Sequence, residues 1–210
     1  MLSPRLSSLW LGLALSPLLL ARGASAQTEA PEQRAPFATF ATSADTDLRF
    51  TSGEEEILMV TAKGQALRVF EDEFRPLGRQ ARGVRGIRLK AGDSVVGCDI
   101  VKPGHQVLLV SELGVGKRTA FDEFTTHHRA TGGVRAMRIS SKTGLLVGAW
   151  GLMDEDQIIV MTNRGRVIRM NVDEVSTLGR TATGYRVVKV ADGDMVADIS
   201  VIRSGEGEGE

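Results

Sequence analysis

A chain of 210 residues with 42% apolar and 25% charged side chains has the balance of a globular protein, which excludes disorder throughout. Lysine plus arginine and aspartate plus glutamate both number 26, so bulk charge by itself announces no nucleic-acid partner. The single cysteine, Cys98, excludes an intrachain disulfide, a cysteine-rich zinc site and a redox pair.

Residues 1–26 combine a short basic start, an apolar stretch from Leu6 to Ala21 and the small-residue run Ala24-Ser25-Ala26. That is the pattern of a secretory signal peptide, although Pro17 interrupts it, and a spurious N-terminal extension is the alternative. Residues 27–47 are rich in alanine, threonine, proline and glutamate without a usable period, and read as a linker or disordered segment. Residues 204–210 form an acidic tail, which should be disordered, behind a mildly basic folded part.

Between these segments the chain repeats itself. ILMVTAKGQALRVFEDEF from Ile57, VLLVSELGVGKRTAFDEF from Val107 and IIVMTNRGRVIRMNVDEV from Ile158 align at offsets of 50 and 51, and GRQARGVRGIRL, HRATGGVRAMRI and GRTATGYRVVKV align at the same offsets downstream. The repeats span 57–106, 107–157 and 158–202. Recurrent columns include Gly64, Gly114 and Gly165; Arg68, Arg118 and Arg169; Glu73, Glu123 and Glu174; Arg79, Arg129 and Arg180; and Gly83, Gly133 and Gly184.

Each repeat opens on consecutive apolar residues, turns at glycine into a second strand, then alternates apolar and basic residues in RGIRL, RAMRI or RVVKV, and ends on a further apolar strand. The 24 glycines against 5% aromatics agree with short strands and tight turns. Four strands in about fifty residues, with no 3.6-residue period, predict an all-β array of propeller blades.

VTAKGQALR, RPLGRQARGVRGIRLKAGD, GVGKRTAFDEF and GRTATGYRVVKVADGD resemble the C-terminal domain of the DNA gyrase A subunit, a β-propeller or pinwheel; similar blades occur in topoisomerase IV. The resemblance runs from Ile57 to about Ile202, and Leu48 to Glu56 looks like the end of a fourth blade, so that residues 48–203 form the propeller part. It implies a module that binds and bends or wraps double-stranded DNA, serves DNA topology without catalysis or cofactor of its own, and works in the cytoplasm beside the remaining gyrase domains or subunits. The family's glycine-rich basic box and its breakage-reunion region with the catalytic tyrosine have no counterpart in this sequence. Two readings stand against this one: a secreted or periplasmic β-propeller binding protein, suggested by the N-terminal segment, and a gyrase fragment without independent function. Three and a fraction blades would leave open edges, through which the chain could self-associate.

Alternation nominates Arg88, Arg138 and Lys189, which face away from the apolar positions of RGIRL, RAMRI and RVVKV, as the foremost DNA-phosphate contacts. Arg82, Arg85, Arg135 and Arg186, with Lys90, Lys117, Arg164 and Arg166, would widen the basic track. For Arg68, Arg118 and Arg169 a scaffold role and DNA contact stay equally open. Arg79, Arg129 and Arg180, beside the glutamate column, read as scaffold residues tying turn to strand, and Gly64, Gly114 and Gly165 as structural turns.

The remaining chemistry-bearing residues read as structural. GVGKRT lacks the leading glycine of a phosphate-binding loop, with Ser111 in its place. His127 and His128 are adjacent and would point to opposite faces of a strand, so no metal site is expected there. Asp154, Glu155 and Asp156 read as a solvated loop. Cys98, among Val95, Val96 and Ile100, reads as a buried strand thiol, and Tyr185, in the column of Val84 and Val134, as a packing residue.

Overall fold

The repeats are realised as three antiparallel sheets in a computed structural model that describes residues 51–204. The signal-like segment, the linker, Leu48 to Phe50 and the acidic tail from Gly205 lie outside the described residues. Each repeat opens with a hairpin. β1 (Glu56–Thr61) turns into β2 (Gln65–Phe70), β4 (Gln106–Ser111) into β5 (Val115–Ala120), and β8 (Gln157–Thr162) into β9 (Val167–Asn171). Gly64, Gly114 and Gly165 make these turns at φ of 76°, 74° and 76°, a region that disfavours any Cβ, and this accounts for the glycine column.

A 3-10 turn follows each hairpin, at Glu71–Glu73, Phe121–Glu123 and Val172–Glu174. The last strand of each repeat, β3 (Val95–Ile100), β7 (Leu146–Leu152) or β11 (Val196–Ile202), then pairs antiparallel with the first. The remaining strand is exchanged. β6 (Val134–Arg135), from the second repeat, pairs with β2 of the first, and β10 (Tyr185–Arg186), from the third repeat, pairs with β5 of the second. The sheet orders are β3-β1-β2-β6, β10-β5-β4-β7 and β11-β8-β9. The expected four-stranded blade therefore forms across two repeats rather than within one. The alternating segment is paired over only two residues, and its first copy, around Val84, forms no strand.

Two cores sit between blades, because period-two alternation gives each sheet two apolar faces, and another, of Met59, Leu67, Val69, Ile87 and Val95, lies within the first repeat. Leu58, Val60 and Ala66 pack with Val107, Leu109, Phe121, Phe124 and Met137, whereas Leu108 and Val110 pack with Ile158, Val160, Val172, Val175 and Val188. Each interblade core is thus filled in part by the 3-10 turn of the following repeat, with Phe124 1% and Val175 2% exposed. Removing an aromatic ring so placed costs about 3 to 5 kcal/mol. At the inner strands a Cβ on Gly97 would lie 2.8 Å from the Ala149 backbone nitrogen, so glycine sets how closely β3 and β7 approach.

Two sequence expectations are corrected here. Cys98 is exposed: it lies opposite Met59, on the face of the first sheet turned away from the second. Its equivalents Ala149 and Ile199, opposite Leu109 and Val160, are 6% and 1% exposed because a preceding blade covers them. Tyr185 is 64% exposed on the outermost strand of its sheet, opposite Gly116, which offers no side chain to pack against.

Candidate nucleic-acid interface

The exchanged segments form the outer edge of the first two sheets, and their cations point to solvent. Arg82, Arg85 and Arg88, then Arg135 and Arg138, then Arg186 and Lys189 are all exposed, and so are Lys90, Arg164 and Arg166. The alternation that nominated Arg88, Arg138 and Lys189 is reproduced in burial. Ile87, Met137 and Val188, each one position earlier, are 7%, 1% and 3% exposed and anchor the segments in the cores. Arg138 and Lys189 lie just beyond the short strands and Arg88 in a segment without one, so anchoring by the buried neighbour, rather than a strand ladder, turns them outward.

Bonds between successive repeats make the cations neighbours. The Arg129 guanidinium donates to the Arg85 carbonyl at 3.2 Å, and that of Arg180 to the Arg135 carbonyl at 2.6 Å. The Arg88 N–H donates to the Thr131 carbonyl at 2.8 Å. The first segment is therefore held against the second and the second against the third. Beside these bonds, Glu73 accepts the Arg129 N–H at 2.8 Å and Glu123 accepts the Arg180 N–H at 2.9 Å. The glutamate and arginine columns thus join one repeat to the next, whereas the sequence suggested a tie within a repeat. The Arg129 N–H bond, followed by the His128 bond, holds the Glu73 carboxyl below its usual range. Arg79 is exposed and has no such glutamate among the described residues.

The arginine column of the hairpins divides. Arg68 pairs with Glu56 and donates to the Phe121 and Phe124 carbonyls at 3.0 and 3.3 Å. Burial would raise the Glu56 pKa, but hydrogen bonds from Arg68 and Thr126 and the Arg68 charge outweigh it and hold Glu56 below its usual range. Arg118 is 7% exposed, donates to the Val175 carbonyl at 2.7 Å and pairs with Asp154. Both arginines strap their blade to the 3-10 turn of the next, the scaffold role that the sequence left open beside DNA contact. Arg169, on the third blade, is exposed and donates to the neighbouring Gln157 at 2.8 Å.

Lys117 is corrected more sharply. It is fully buried on β5, and its ammonium donates to the Gly179 and Arg180 carbonyls at 2.8 and 2.7 Å. Burial pushes its pKa down to about 8. GVGKRT is accordingly a strand with an interior lysine, and not a loop around a phosphate. One signal could have found this: the column places Lys117 between Leu67 and Ile168, both apolar.

The acidic run is not simply solvated. Asp154 pairs with Arg118, while Asp156 is 1% exposed and accepts the Met153 and Ser204 N–H groups, each at 2.9 Å. His127 and His128 are both exposed.

Sheets built from tandem fifty-residue repeats, joined by exchanged outer strands with cations on their rim, define a blade-type β-repeat domain. The family model described as "DNA gyrase C-terminal domain, beta-propeller" matches residues 55–102, 105–149 and 156–203, and the chain belongs to that family. The DNA gyrase A subunit of Aminobacterium colombiense is 52% identical over 158 residues, which cover 75% of this chain and 19% of that protein. The corresponding protein from Chlamydia pneumoniae is 38% identical over 160 residues, covering 76% and 19%. The chain therefore spans about a fifth of the length of these relatives. Among solved structures, the C-terminal domain of DNA topoisomerase IV superposes with a TM-score of 0.70 at 25% identity, over 74% of this chain and 49% of that one. A DNA gyrase A C-terminal domain superposes with a TM-score of 0.66 at 28% identity, over 70% and 50%.

Proposed function

We propose that this chain binds and bends duplex DNA on the rim formed by its exchanged segments, with Arg88, Arg138 and Lys189 as leading phosphate contacts and Arg82, Arg85, Arg135 and Arg186 beside them. The observation that carries the reading is the separation of cations. Arg68, Arg118 and Lys117 are consumed by the scaffold, while the rim residues are exposed and carried on side-by-side segments. Arg169 and the loop cations Lys90, Arg164 and Arg166, which are equally exposed, extend the surface.

Lysine and arginine that neutralise phosphates release condensed counterions, so binding depends strongly on salt and weakly on sequence. A duplex following a curved array of such cations bends, at an elastic cost offset by the additional phosphates it reaches. The chain does no covalent chemistry in this reading. It serves DNA topology in the cytoplasm by presenting bent DNA to breakage-reunion domains such as those of a gyrase. An electrophoretic mobility shift on unrelated duplexes across a salt series tests the reading. Binding at low salt that weakens steeply as salt rises is expected, and no binding at low salt would overturn it.

A further inference from the structure

The chain carries both halves of the junction that joins its blades, each without its counterpart among the described residues. One half is β9. Val167 is 62% exposed, whereas its equivalents Ala66 and Gly116, paired with β6 and β10, are buried. A Cβ on Gly64 would lie 2.5 Å from the Met137 carbonyl oxygen and one on Gly114 would strike that of Val188, but nothing lies within 4 Å of Gly165. Ile159 and Met161 are only half-buried, where Leu58, Val60, Leu108 and Val110 lie under the next blade.

The other half is the segment 83–89. A Cβ on Gly133 would strike the Ala66 carbonyl and one on Gly184 would lie 2.5 Å from that of Gly116, yet nothing lies within 4 Å of Gly83. Gly83 nonetheless has a φ of 80°, close to the 67° and 96° of its paired equivalents, so the segment already holds the bend that pairing uses. On the outer face of the first sheet Cys98 is exposed, beside a core of Met59, Leu67 and Val69 to which Ile87 of this segment belongs.

We propose that a second copy of this chain supplies each missing half: segment 83–89 of one copy pairs with β9 of the other, head to tail. The internal junctions set the register. Val134 opposite Ala66 and Arg135 opposite Gln65 translate to Val84 opposite Val167 and Arg85 opposite Arg166. The Glu174 carboxylate then meets the Arg79 N–H, as Glu73 meets Arg129 and Glu123 meets Arg180. An unpaired strand edge is a template for another chain, and a twofold ring of two head-to-tail junctions satisfies both edges at once. Size supports a pair: 74% of this chain matches 49% of one solved domain, and 70% matches 50% of another, so the matched parts of two copies equal about one such domain in length. Asp198 stands where Gly97 allows the inner strands to approach, opposite Met161 as Gly97 is opposite Val60. A carboxylate therefore faces the junction there and keeps the association reversible.

Sedimentation velocity on the full chain without DNA, from micromolar to submillimolar concentration, tests the proposal. A concentration-dependent shift from 22.6 kDa to twice that mass is expected. Val167→Asp and Val84→Asp are each expected to abolish the shift with the melting temperature unchanged. An equimolar mixture of the two variants is expected to recover a dimer, because each retains the half that the other lacks. A wild-type chain that stays monomeric at every concentration would overturn the proposal. So would variant mixtures that fail to complement, since that is the behaviour of a like-with-like edge contact.

Discussion

The Glu73 carboxylate accepts the backbone N–H of Arg129 at 2.8 Å, and the residues it joins belong to different repeats. The same holds for Glu123 and Arg180 at 2.9 Å, so a column pair that looks local in sequence is an interblade fastener. The arginine straps to the next 3-10 turn do the same work from the hairpin side.

Acid should loosen the first of these joints. Glu56 and Glu73 are both held below the ordinary 4.5, so the stability they contribute is fully present above that value and is lost as pH falls through their lower folded values. Thermal melts between pH 7 and pH 3 should show this loss, and Glu56→Gln should be less stable than wild type at pH 7 while losing less on acidification. An unchanged acid profile in that variant would count against the Glu56–Arg68 pair.

Lys117 predicts a second rise in stability with pH, at the alkaline end. Below about 8 it is charged in both the folded and the unfolded chain, and the cost of burying it is fully present. Between about 8 and the ordinary 10.5 it is neutral when folded but still protonated when unfolded, so stability should rise with pH across that window. Urea titrations of wild type and Lys117→Met at pH 7.5 and 10 should show that the rise shrinks in the variant.

Two arginines of one column should behave differently. Arg118→Ala removes the strap to Val175 and Asp154 and should cost about 2 kcal/mol, as expected when a buried carbonyl loses a charged donor. Arg169→Ala, at an exposed position, should stay within about 0.5 kcal/mol of wild type. Chemical denaturation midpoints measured side by side check the contrast, and equal losses would remove the distinction between scaffold and free column members.

For DNA binding, Arg88→Ala, Arg138→Ala and Lys189→Ala combined should reduce the slope of log affinity against log salt by about 2 to 3, close to 0.9 for each phosphate no longer neutralised. The three side chains are exposed, so the melting temperature should hold. Fluorescence anisotropy on a duplex at several salt concentrations supplies the slope. An unchanged slope would move the DNA-binding surface away from these segments.

Much of this was legible in the chain itself. The period of about fifty residues, the glycine turns and the two-residue alternation are local consequences of backbone sterics and of burial on two faces. They name the blade and turn Arg88, Arg138 and Lys189 outward wherever the segment is placed. The neighbour of each segment was not legible. Nothing local distinguishes a strand that closes its own sheet from one that reaches back to the preceding sheet, since both use the same alternation. For the same reason Cys98 and Ala149, equivalent in the repeat, end up exposed and buried: burial depends on whether another blade covers that face.

The sequence by itself therefore determined the repeat, the blade type and the outward-facing cations, because these follow from periodicity and from which side chains leave water. Only the tertiary structure decided which cations remain available. Arg118 and Lys117 are cations in sequence but are held inside by carbonyls of the next repeat, and their partners lie 57 to 63 residues away, beyond the reach of any local pattern.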